Sequence, residues 1–109
     1  MNRHILIDLQ ERRQGMYTRL GFYNNSGVYA YLNEERYPIY IGRAANLGER
    51  LRVHRTKMES YMPDARFLFV HFCQDHESLE KKLIQQYCPK YNKLGNPEPQ
   101  KDVQCITCH

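Results

Sequence analysis

The spacing of apolar and polar positions changes several times along the chain, and each change marks an element. Residues 1–26 fit two periods at once. Ile5, Leu9 and Met16 suit one side of a helix, while Ile5, Ile7 and Leu9 suit the alternation of a strand. Asn24, Asn25, Ser26 and Gly27 then form a turn cluster. Val28 to Asn33, rich in tyrosine and apolar residues, predicts a strand. Asn33 to Tyr37 is a polar turn. Pro38 to Gly42 predicts a second strand, with Pro38 at its first position, where a missing N–H is tolerated. The two strands and their short turn make a hairpin.

Asn46 to about Lys57 predicts a helix. Asn46 and Glu49 have the spacing of a capping box, in which the Asn side chain accepts from a first-turn amide and the Glu reaches back. Phe67 to Cys73 reads FLFVHFC, a near-continuous apolar run that predicts a strand covered on both faces. Asp75 is placed to cap a second helix from about His76 to Tyr87, and Pro89 ends it. Residues 93–109 hold two prolines and mostly polar side chains, the pattern of an irregular tail. Hairpin, helix, strand and helix give an α+β fold, with helices on a small three-stranded sheet.

The chain of 109 residues suits one domain, and its 41% hydrophobic and 26% charged residues are ordinary for a globular one. No run reaches the length of a membrane span. Asp8, Glu11, Arg12 and Arg13 interrupt the apolar residues near the N-terminus, so a signal-peptide core is not expected and a cytoplasmic location is. In that compartment Cys73, Cys88, Cys105 and Cys108 are expected as thiols or metal ligands rather than disulfides. The net charge of +4 permits a phosphate-bearing partner without requiring one. Nine tyrosines and no tryptophan supply groups that donate, accept and stack.

Both helices carry polar residues beside their apolar stripes. On the second helix Leu79, Leu83, Ile84 and Tyr87 cover one side at about 100° per residue, and Glu80 falls within it. An ionised carboxylate there costs several kcal/mol unless paired. It is either the rim partner of a basic residue or a ligand for Mg²⁺ or Mn²⁺, which prefer carboxylate oxygen. On the first helix Leu47, Leu51 and Met58 form the stripe, with Arg50 and His54 together at its edge. Arg52, Arg55 and Lys57 belong to a solvated face. A carboxylate, two basic groups and strand tyrosines suit phosphoryl transfer: cations offset charge on phosphorus and a base takes a proton from water. The same set also suits a structural polar network.

These residues resemble the GIY-YIG nucleases over about residues 27–92. Gly27-Val28-Tyr29 stands for the first motif and Tyr40-Ile41-Gly42 for the second, with ten residues between them. Arg43 follows, then Asn46-Leu47, Arg50 and His54, then Glu80 and Pro89-Lys90-Tyr91-Asn92. The segment from Leu83 to Asn92 looks most like the nuclease domain of bacterial excision-repair endonucleases. The resemblance implies a three-stranded antiparallel sheet flanked by helices. It also implies DNA phosphodiester hydrolysis with one divalent cation, Mg²⁺ or Mn²⁺, held by Glu80. By the same resemblance Arg50 binds the scissile phosphate, Tyr29 activates water with Tyr40 beside it, and Asn92 holds the geometry. Arg43 and His54 assist, by lowering a tyrosine pKa or relaying a proton, and the ultimate base is Tyr29 or His54.

The resemblance divides the chain into an N-terminal extension (1–26), a nuclease domain (27–92) and a tail (93–109). DNA is the expected partner, with a protein partner able to supply specificity. The tail ends Cys105-Ile106-Thr107-Cys108-His109, and Cys105 and Cys108 have the spacing of half a zinc site. The competing functions are a non-catalytic DNA-binding module of the same fold and a zinc-dependent interaction module.

Overall fold

The computed structural model describes residues 3–93. Its sheet is antiparallel, in the order β1-β4-β2-β3, with β1 at Arg3–Asp8, β2 at Gly27–Leu32, β3 at Pro38–Ala44 and β4 at Phe67–Phe72. The helices are α1 at Met16–Arg19, α2 at Leu47–Lys57, α3 at His76–Tyr87 and α4 at Lys90–Lys93. The α+β class and the three expected strands are present, and β1 adds a fourth. In the ambiguous N-terminal segment the alternating period prevails. Ile5 and Ile7 stand opposite Val70 and Leu68, so a strand turns both toward one core, whereas a helix would separate residues two apart.

The sheet separates two apolar layers. On the α2 side, Tyr29, Tyr31 and Tyr40 pack with Ile7, Leu68 and Val70 against Phe22, Leu47, Leu51, Met58 and Met62. On the α3 side, Val28, Ala30, Leu32 and Ile41 pack against Ile84, with Leu79, Leu83 and Tyr87 partly buried around them. The FLFVHFC strand is therefore covered unequally. Leu68 and Val70 are fully buried, while Phe67 and Phe69 are half-buried, because α3 lies over β2 and β3 rather than over β4.

The local signals act mostly as expected. Asn46 caps α2 by accepting from the Glu49 amide at 3.2 Å, and it also accepts from the Asn24 amide at 3.0 Å. Glu49 does not complete the box; its carboxylate pairs with Arg52 one turn on. Asp75 occupies the N-cap of α3 without a side-chain bond to the helix. The helix ends at Cys88, whose left-handed backbone (φ 46°) directs the chain into Pro89. Cys73 is a free thiol, as expected. Among the described residues no helix is long and apolar enough to cross a membrane.

A buried polar cluster lies beside the α2-side core and has no sign in the sequence. Arg12 donates to both oxygens of Glu59 at 2.8 Å and to the Tyr17 hydroxyl at 2.9 Å. The Tyr31 hydroxyl donates to Glu59 at 3.0 Å. Burial, and then the Glu59 charge, push the Tyr31 hydroxyl well above the usual phenol range, which keeps it a donor. The Arg12 and Glu59 side chains are 11% and 15% exposed, so removing one leaves a nearly buried charge. Arg12→Met is expected to cost about 3–5 kcal/mol in urea unfolding, and the double variant Arg12→Met/Glu59→Leu to recover most of that loss.

Candidate active site

Strand β3 organises the site, because its successive residues face opposite sides of the sheet. Tyr40 and Gly42 lie on the α2 side and Ile41 and Arg43 on the α3 side, as the two apolar layers require. Gly42 stands opposite Tyr29 of β2. A Cβ added at Gly42 would overlap the Tyr29 ring and hydroxyl. The absent side chain is what lets the phenol lie across β3.

The Tyr29 hydroxyl is 2.5 Å from Nε2 of His54 on α2. The ring centroid of Tyr40 is 6.2 Å from that of Tyr29 and 6.1 Å from that of His54. All three residues are at most 1% exposed. His54 therefore lies within the core-facing stripe, packed edge-on to Tyr29 at 5.4 Å, rather than at the stripe's edge. Arg50, one turn earlier on α2, is exposed.

On the other side of β3, Arg43 Nε is 3.2 Å from Glu80 Oε1, and Arg43 Nη2 is 3.5 Å from Glu77. The Glu80 side chain is 15% exposed and that of Arg43 is 39% exposed. Burial raises the Glu80 carboxyl above its ordinary value, and Arg43 and then Arg50 pull it partly back. Tyr29 and Arg43 are thus separated by the sheet but joined through adjacent residues of one strand. The resemblance implies that Arg43 assists the tyrosine; its ion pairs are with the carboxylates of α3, Glu80 and Glu77, the second of which carries no signal in the sequence.

Asn92 is 4% exposed and faces the outer side of β3. Its Oδ1 accepts from the Ile41 amide and its Nδ2 donates to the Ile41 carbonyl, both at 2.9 Å. One side chain thereby satisfies the backbone of Ile41, between Tyr40 and Gly42, as a neighbouring strand would. Tyr91 and Lys90 tie the same short helix to Asp64, at 2.6 and 2.7 Å. Cys105 and Cys108, the zinc candidates, lie outside the described residues.

Of the groups expected in the site, Glu80 alone among the described carboxylates combines burial with a position beside β3 and two cations. Among the described residues no group of three or more His, Cys, Asp or Glu could hold a metal ion. The donor set fits Mg²⁺, which dehydrates reluctantly, keeps several waters and is commonly bound through one or two carboxylates and substrate phosphates. It does not fit a closed protein cage.

Residues 25–93 match the family described as the UvrC-like GIY-YIG domain. UvrABC system protein C of Bacteroides thetaiotaomicron is 38% identical over 77 residues, which is 62% of this chain and 13% of that protein. The Mesoplasma florum protein of the same name is 32% identical over 80 residues, 66% of this chain and 14% of that protein. The chain thus spans a small fraction of these relatives. The crystal structure of the GIY-YIG N-terminal endonuclease domain of UvrC from Thermotoga maritima, bound to magnesium as its catalytic divalent cation, superposes with a TM-score of 0.59. It is 28% identical and covers 73% of this chain and 98% of that one.

Glu80 and Asn92 differ in what they do for stability. A carboxyl whose folded-state pKa is raised binds its proton more tightly when folded. Stability therefore falls as pH rises from the ordinary glutamate value through the raised one. Glu80→Gln removes that loss and is expected to melt at or above the wild-type temperature at pH 7. Asn92→Ala strips partners from a buried amide and carbonyl and is expected to cost about 1–3 kcal/mol. Thermal and urea unfolding of the two variants check this contrast.

Proposed function

The chain belongs to the UvrC-like GIY-YIG domain family, and we propose on that footing that it is a metal-dependent endonuclease hydrolysing DNA phosphodiester bonds. The observation that carries the reading is the junction at Gly42 and Arg43. These adjacent residues join a buried tyrosine–histidine pair to a mostly buried carboxylate flanked by guanidinium groups.

In this reading Glu80 holds one Mg²⁺ or Mn²⁺ ion. Bound there, the ion neutralises charge on the phosphate and polarises its P–O bonds. Arg50, exposed and close enough to lower the Glu80 pKa, reaches the scissile phosphate and offsets charge developing in the transition state. Arg43 balances the Glu80 carboxylate and keeps it ionised. Asn92 fixes the backbone of Ile41 and with it the positions of Tyr40 and Gly42.

Tyr29 takes the proton of the attacking water while its own hydroxyl proton passes to Nε2 of His54; the water oxygen bonds to phosphorus, the P–O bond to the leaving sugar oxygen breaks, and that oxygen takes a proton from solvent. The 2.5 Å contact supports this order. A phenol ordinarily ionises near pH 10, so forming a phenolate at pH 7 costs about 4 kcal/mol. An imidazole accepts a proton near neutrality, so passing the proton onward avoids holding a phenolate in a buried position. Tyr40 packs against both partners and keeps the pair in register. DNA is the partner. A protein partner supplies specificity, in keeping with relatives named as components of a UvrABC system.

Supercoiled plasmid nicking with Mg²⁺ or Mn²⁺ tests the reading. Tyr29→Phe and Glu80→Ala are each expected to lower the nicking rate by about 10²–10⁴-fold while circular dichroism stays native. Wild-type nicking by Glu80→Ala in excess chelator would remove the metal from the scheme. DNA binding with no cleavage under any divalent ion would favour the non-catalytic module.

A further inference from the structure

The two edges of the sheet are finished differently. Asn92 covers the middle of β3 at one edge. Strand β1 forms the other edge, and among the described residues no strand pairs with its outer side. Leu9 N–H bonds to the Arg66 carbonyl at 2.9 Å, one step beyond the pair Asp8↔Phe67. In an antiparallel ladder, residues alternate between bonding toward one neighbour and toward the other. Arg3, Ile5 and Ile7 therefore turn their backbone groups to β4, and His4, Leu6 and Asp8 turn theirs outward.

Between its charged ends, Arg3 and Asp8, this edge lacks the usual protections against pairing. It has no proline, no lysine and no bulge, and Leu6 at its centre is 43% exposed. Leu6 stands opposite half-buried Phe69 on the side of the sheet where α3 covers β2 and β3. An apolar strip thus reaches the open edge. It is flanked by His4, which stacks on Phe69 at 5.7 Å, and by Asp8, which Arg66 holds at 3.0 Å.

We propose that β1 is a self-association edge, and that its occupant is β1 of a second copy of this chain, antiparallel across a two-fold axis through Leu6. Only residues on the same face can stand opposite each other in a continuous antiparallel sheet. The Leu6-centred register obeys this and places Leu6 against Leu6, and His4 against Asp8 of the second copy. The Leu6 pair exchanges both of its N–H···O=C bonds, and the outward Asp8 N–H donates to the His4 carbonyl of the second copy, while the Asp8 carbonyl serves the 3-10 turn at Leu9–Glu11. The imidazole meets a carboxylate with an acceptor site left beyond its bonds to Arg66 and the Gln10 amide. The alternative register, centred on Ile5, sets His4 against Leu6 and leaves Asp8 unmatched. The Leu6-centred arrangement is isologous and closed. It makes one eight-stranded sheet with the two Glu80 sites at its opposite rims, so it is independent of the nuclease reading.

Light scattering of the full chain is expected to give twice the 13.1 kDa chain mass. Leu6→Lys sets two cations opposite each other and is expected to return monomer mass with a native circular dichroism spectrum. Under mild oxidation Leu6→Cys is expected to form a covalent dimer above the wild-type background, because directly opposed residues have Cα atoms about 5.5 Å apart, within disulfide reach. His4→Cys is expected not to, because residue 4 faces residue 8 of the second copy. A wild-type chain that stays monomeric at high micromolar concentration overturns the proposal. So does a dimer that survives Leu6→Lys, or cross-linking that is equal through His4→Cys.

Discussion

The Tyr29 ring rests on the Cα of Gly42, where any Cβ would overlap its phenol carbons. The arrangement of the site depends on this close approach. It carries a β2 side chain across β3 to His54. It also places the hydroxyl beside the residue whose successor, Arg43, meets Glu80 on the opposite side of the sheet. Alternation along a strand ordinarily keeps the chemistry of two faces apart. Here a single position without a side chain brings them to one stretch of β3.

Two polar groupings share the α2 side of the sheet and illustrate different uses of buried polarity. Tyr31, Glu59, Arg12 and Tyr17 form a chain of hydrogen bonds in which an ion pair is enclosed by phenol hydroxyls. Such a network stabilises only while complete, because each member is costly to leave alone. Tyr29, Tyr40 and His54 sit next to it, with Tyr29 edge-on to Tyr31 at 6.3 Å. The second grouping sets two phenols around an imidazole, with the Tyr29 hydroxyl 2.5 Å from His54.

The outer strands divide the remaining work. At β3, Asn92 serves as a one-residue strand, which closes the backbone beside the site and leaves room for side chains around it. At β1, the alternation that drew Ile5 and Ile7 into the core leaves His4, Leu6 and Asp8 on the uncovered part of the sheet. The cover of the sheet is uneven in the same sense: α3 lies mainly over β3 and β2 on its side.

Much of the architecture was legible along the chain, because local periodicity and turn chemistry determine it. The hairpin, the helix capped by Asn46, the apolar strand at Phe67 and the helix ended before Pro89 each have a signal within a few residues. Tyr29, Tyr40, Arg50, His54, Glu80 and Asn92 are candidates through the resemblance to the GIY-YIG nucleases, and Arg50, His54 and Glu80 also through their places beside apolar helix stripes. Tertiary structure decided what no local pattern encodes. It chose the strand period for residues 3–8 through pairing with β4, and placed Arg43 with Glu80 instead of with the tyrosines. It also paired His54 with Tyr29 across 25 positions and assembled Arg12 with Glu59 across 47. Contacts between residues far apart in sequence depend on how the sheet and helices close on one another, and that closure is a property of the whole packed chain.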